Sequence, residues 1–143
     1  MPSDLAIPPL LLALVEAGRW PRTSEEALRQ NTTPWVGEDR VRALAPEESM
    51  IFLEPPPFST VRELSAGHPF WGGPMADPDG IDPDRTIVLG DFGLGSDAPI
   101  ALDYRHDAAR PRVIRLRWAG PDTPNRWVVM APDFVTFAVT LGL

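Results

Sequence analysis

The stretch LGDFGLGSDAPIALD, residues 89 to 103, contains two overlapping fragments of phosphate chemistry. Asp91-Phe92-Gly93 has the residues with which a kinase holds its magnesium. Gly93-Leu94-Gly95-Ser96-Asp97-Ala98 has the spacing of a dinucleotide fingerprint with alanine in third place. Neither fragment has the rest of its machinery. A kinase needs a lysine on the nucleotide phosphates and a catalytic-loop acid with its neighbours. This chain has no lysine, and all 13 of its basic residues are arginine. A dinucleotide fingerprint needs its glycines to open a helix whose N-terminus faces the pyrophosphate. Here Pro99 and the alternating Ile100-Ala101-Leu102-Asp103 predict a strand instead. The expected role of Gly93 and Gly95 is therefore positive φ in a tight connection between antiparallel strands.

Other residue clusters have a possible chemistry and a simpler alternative. DPDGIDPD places Asp77, Asp79, Asp82 and Asp84 at intervals that resemble a calcium loop, with Gly80 for the turn. The bidentate acid that closes such a loop is missing and two prolines stiffen it, so an exposed acidic loop is expected and no metal. With no cysteine there is no disulfide and no thiolate ligand or nucleophile. His68 and His106 are the only histidines, far apart in the chain, which argues against zinc. No serine sits in a nucleophile-elbow motif that either could serve. Trp71, between Phe70 and two glycines, serves either as an interface anchor or as a lid folded onto the core. Trp20, Trp35, Trp118 and Trp127 lie in helix connections or strand patterns and are expected to pack.

Composition narrows the partners. A chain of 143 residues buries roughly 68–70 % of its unfolded surface, enough for a core without staples. Thirteen positive charges against 20 negative give a net charge of −7. That balance argues against nucleic acid, whose affinity rests on neutralising phosphates, and favours a basic partner through long-range steering. The apolar run at residues 6–15 follows an acidic lead without a base and is too short for a bilayer. It predicts a buried helix in a cytoplasmic protein, with no membrane partner.

The elements that hold these residues can be read from period and punctuation. Pro8 and Pro9 suit a first helical turn, Leu11, Leu14, Val15 and Gly18 share one face, and Gly18 with Pro21 marks the end. Thr23 with Glu26, and Thr60 with Glu63, have capping-box spacing. GEDRVRAL predicts another helix, and MIFLEPPP a short strand stopped by prolines. Residues 67–85 form a long loop rich in glycine, proline and aspartate. Four strands follow, TIVLGDF, APIALDYR, RVIRLRW and RWVVMA, joined by connections too short for parallel pairing. Asp133 caps a last helix whose apolar stripe is Phe134, Phe137, Ala138 and Leu141. The expected fold is α+β: one domain over 1–143, with N-terminal helices, an antiparallel sheet of about four to six strands, and a C-terminal helix.

The strand–glycine-turn–strand unit resembles the hallmark of the SUKH superfamily, which includes fungal cell-wall-assembly regulators and bacterial toxin-immunity proteins. Leu89-Gly90, then Gly93 and Gly95, then Ile100-Ala101-Leu102-Asp103 correspond to it. Ala131, Asp133, Phe134 and Phe137 are similar to the family's closing step into a helix with spaced phenylalanines, and Ile7-Pro8-Pro9 to its proline-containing start. The likeness is best over residues 86–143. It implies a curved antiparallel sheet with helices on one side, no catalysis and no cofactor or small-molecule substrate. It further implies a protein partner: a cognate basic toxin that the domain binds and neutralises or, as in the fungal members, a regulatory role without a toxin. Trp71, Asp77, Asp79, Asp82, Asp84, Asp91 and Asp97 are the expected partner contacts. Alternation puts Asp103 on a solvated strand face, where it is predicted to pair across the sheet with Arg115 or Arg117 as an exposed ion pair of about 0.2–1 kcal/mol.

Overall fold

The computed structural model describes residues 5–64, 81–93, 98–117 and 126–143. Helix α1, Pro9–Glu16, carries proline in its first turn and buries Leu11 and Leu14. It stops where Gly18 turns to φ +74°, and Arg19 N–H donates to the Leu14 carbonyl at 2.8 Å. Only glycine reaches that conformation cheaply. Helix α2, Ser24–Leu28, starts on Thr23, whose hydroxyl accepts the Glu26 N–H at 3.1 Å. The Glu26 carboxylate does not return to Thr23; it takes the Arg22 amide at 3.0 Å and the Arg22 guanidinium. In helix α4, Val61–Leu64, the reciprocal box is complete: Glu63 N–H donates to the Thr60 hydroxyl and Thr60 N–H to the Glu63 carboxylate. Between them lie helix α3, Glu38–Leu44, and strand β1, Phe52–Leu53.

The remaining strands are β2 Thr86–Asp91, β3 Ile100–Asp103, β4 Arg112–Arg117 and β5 Arg126–Ala131. With β1 they form one antiparallel sheet in the order β1-β2-β3-β4-β5. Helix α5, Phe134–Leu141, closes the chain. The Asp133 carboxylate accepts the Thr136 N–H at 2.8 Å at its start, and Gly142, at φ +77°, ends it. Phe134, Phe137, Ala138 and Leu141 are its buried stripe, as the period predicts. Trp20 joins the two helical ends, its ring 6.0 Å from Phe134 and 6.4 Å from Phe58. The architecture is the α+β arrangement the sequence implies.

One expectation fails. The alternation in RVIRLRW predicts a buried face and a solvated one, yet Val113, Ile114, Arg115 and Leu116 are all buried. Strands β2 and β3 are buried on both faces too, apart from Asp91 at the end of β2. The central strands are covered from both sides, and Arg115 is accommodated by a partner. Its guanidinium bonds the Glu47 carboxylate, from the segment between α3 and β1, and lies 5.5 Å from the Phe92 ring centroid. Trp118, the helix end predicted at Gly67 and the loop up to residue 80 lie outside the described residues.

Candidate functional site

In the stretch 89–103 the glycines work as architecture. A Cβ on Gly90 would lie 2.0 Å from the Phe52 carbonyl oxygen, so β1 can pair there only with a residue that lacks one. Gly93 stands at φ +100°, and Met50 fills the space where its side chain would be. Asp91 closes the turn by accepting the Gly93 N–H at 2.8 Å. These contacts come from the fold itself and leave Asp91 half-buried. Gly95 and Asp97 lie outside the described residues.

Asp103 ends this stretch, and its surroundings correct the predicted pairing. The register sets Ala101 opposite Ile114 and Ile100 opposite Arg115. Arg115 therefore shares a sheet face with Ile100, and Asp103 lies on the other. Asp103 instead faces Arg112, its register partner, whose NH2 group donates to it at 2.7 Å. Arg105 donates to both carboxylate oxygens, from Nε at 2.9 Å and from NH2 at 3.0 Å, and its amide adds a bond at 3.1 Å. The carboxylate is fully buried, and the pair is a buried fork instead of a surface contact. Burial pushes its pKa up. The bonds from Arg105 and Arg112 outweigh that and hold it down at about 2. A carboxylate held this way stays ionised near neutral pH and is a weak base there.

The acids predicted to meet a partner separate in the structure. Asp82 caps a short 3₁₀ turn, Pro83–Arg85, by accepting the Asp84 N–H at 3.0 Å. Asp84 is exposed and takes the Arg62 guanidinium through both oxygens, at 2.7 and 3.2 Å. Both precede β2, whose first residue Thr86 faces Asp103, while Asp91 ends β2 at the opposite end of that strand. The three described acids therefore do not form one cluster. Trp71, Asp77 and Asp79 lie outside the described residues. His106 is exposed beyond β3, and His68 falls outside the described residues. Among the described residues no group of three histidines or acids is placed to hold a metal ion. No helix there is long and apolar enough to cross a membrane.

Two polar residues escaped the sequence reading. Gln30 is fully buried, and its side-chain amide works as a neighbouring strand. It accepts the Leu53 N–H at 2.8 Å and donates to the Leu53 carbonyl at 2.9 Å. Nothing in RQN distinguishes this glutamine from a surface one. Arg115 is the other; its spacing marks it as solvated, and only its contact with Glu47 shows otherwise. That contact holds the Glu47 carboxyl below its ordinary range, whereas burial pushes Glu48 up.

A groove of about 290 Å³ runs between the starts of α1 and α5, lined by Pro9, Leu10, Pro111 and Val135. The Arg110–Asp133 ion pair, 2.7 Å long, stands at its wall. Comparison with protein-family models, curated proteins and solved structures finds no match to this chain.

Proposed function

We propose that this chain is a non-catalytic protein-binding domain that binds and neutralises a basic toxin. One observation carries the reading. Among the described residues of the stretch that carries the phosphate-like fragments, the candidate groups are engaged elsewhere: Gly90 and Gly93 in backbone geometry, Asp91 in a turn, Asp103 in a two-arginine fork. The surface on which a partner would bind belongs to a chain of net charge −7. Resemblance to the SUKH superfamily points the same way. Asp84, exposed beside Arg62, and half-buried Asp82 are the described acids of the loop proposed to meet the partner.

The test is affinity capture from the native cells with the tagged chain as bait. A single basic protein retained through moderate salt supports the reading. Replacing Asp77, Asp79, Asp82 and Asp84 by asparagine should then weaken its capture. Undiminished capture removes the loop from the interface. Recovery of several envelope or signalling proteins, and of no basic one, favours the regulatory role instead.

A further inference from the structure

The outward sides of the helices are not alike. Around α2 and along α3, exposed positions one turn apart carry ion pairs: Arg22 with Glu26, Glu25 with Arg29 and Glu38 with Arg42. Such pairs suit a solvated helix face. Helix α5 is built otherwise. No residue from 134 to 143 is charged, and Val135 and Val139, one turn apart, are 56 % and 66 % exposed. Valine is a weak helix former, so exposure to water gives no reason for it there. The core does not need it either, because Phe134, Phe137, Ala138 and Leu141 already form the buried stripe.

The surroundings of this face are complementary to the face itself. The groove of about 290 Å³ opens beside Val135, with Pro9, Leu10 and Pro111 as its other apolar walls. A hollow and, one turn away, a projecting valine therefore share one surface. The two ends of α5 carry opposite charges. Asp133, bonded to Arg110, caps the start. At the other end the exposed Arg40 of α3 lies beside Gly142, where a Cβ would stand 3.5 Å from the guanidinium carbon. Arg40 has no ion pair among the described residues. With a net charge of −7, two copies of the chain repel each other, and a face without charge is where that repulsion is weakest.

We infer that α5 is the contact of a two-fold symmetric dimer of this chain, with the two copies of the helix antiparallel. An axis crossing midway between Val135 and Val139 sets each of these valines against the other one in the second copy. Val139 of the second copy then stands at the mouth of the groove beside Val135. The same axis brings Arg40 and Gly142 of one copy to Pro132 and Asp133 of the other, twice by symmetry. An isologous contact requires such self-matching. Antiparallel alignment also sets the positive start of each helix against the negative end of its neighbour. One helix pair is a small interface, of the weak and transient class. The dimer does not depend on whether the chain binds a toxin.

The test is sedimentation equilibrium of the full chain from micromolar to millimolar concentration, with a reversible monomer–dimer equilibrium as the expected result. Val139→Glu, at an exposed position, should leave the urea midpoint near that of wild type and abolish the dimer. Arg40→Gln should weaken the dimer about two- to thirtyfold, the range of two exposed ion pairs. The register is read separately, because the chain has no cysteine of its own. In an oxidised equimolar mixture, Val135→Cys and Val139→Cys chains should cross-link to each other in preference to themselves. A wild-type chain that stays monomeric at millimolar concentration overturns the inference, as does a dimer that Val139→Glu leaves intact. Preferential cross-linking of either cysteine variant with itself overturns the antiparallel register. A monomer whose capture of another protein is lost in Val139→Glu gives the face to that protein, and overturns the dimer too.

Discussion

Replacing Asp103 by asparagine should destabilise the fold in a way that depends on pH. The side chain is fully buried, between Arg105 at 2.9 Å and Arg112 at 2.7 Å. Its pKa falls from an ordinary 3.8 to about 2 because the arginine bonds outweigh the effect of burial. At about 1.36 kcal/mol per unit, that difference contributes roughly 2 kcal/mol at neutral pH. Taking one partner out of a fully buried pair costs more, about 3–5 kcal/mol. Both arginines here are partly exposed and can turn towards water, which lowers the figure. We expect D103N to lose about 2–3 kcal/mol in urea unfolding at pH 7, with an unchanged slope against denaturant. The folded-state pKa lies below the unfolded one, so the unfolded chain binds the extra proton. The contribution is complete above about pH 4 and is lost as the pH falls through about 2. Wild type should therefore lose about 2 kcal/mol more than D103N across that window. A variant within 0.5 kcal/mol of wild type at pH 7, or one with the same acid dependence, would refute the account, 0.5 being about the ordinary size of a surface substitution.

Other perturbations test the packing. Gly90→Ala places a methyl group on the Phe52 carbonyl and should cost about 1–3 kcal/mol or more, with faster amide exchange at Glu54, whose N–H pairs with Leu89. Gly93→Ala, at φ +100° and against Met50, should cost about 1–3 kcal/mol in the same urea assay. Thr60→Ala removes the α4 cap and should cost about 1 kcal/mol, read as a shift in the urea midpoint. Gln30→Ala leaves both backbone groups of Leu53 without their partner and should cost about 1–3 kcal/mol; retention of full stability would show that water replaces the amide at no loss.

Local rules wrote much of this fold into the sequence. The prolines before Leu10, the glycine at 18, the threonine caps and the Asp133 cap act within a turn of helix, so their spacing sufficed. The antiparallel pairing of β2 to β5 followed from their short connections, whereas the place of β1 beside β2, across a long connection, did not. The turn role of Gly93 was legible from a short connection too. That of Gly90 was not, because the atom it avoids belongs to Phe52, far away in the chain.

The candidate site was less legible, since its residues are defined by partners. Alternation alone put Asp103 and Arg115 on one polar face. The register, fixed when Ala101 met Ile114, placed them on opposite faces and gave Asp103 to Arg112. Whether a strand is buried on one face or two depends on what folds over it, and the segment that covers Arg115 comes from before β1. Gln30 became a substitute strand only because α2 brings it beside β1. The meeting of Arg117 and Arg126 across β4 and β5 is likewise a property of register. The sequence by itself determined where most helices begin and end, which stripes are apolar and that the last four strands pair antiparallel. Tertiary structure decided which charges meet, because a charge pair depends on distance in space, and periodicity along the chain does not encode that.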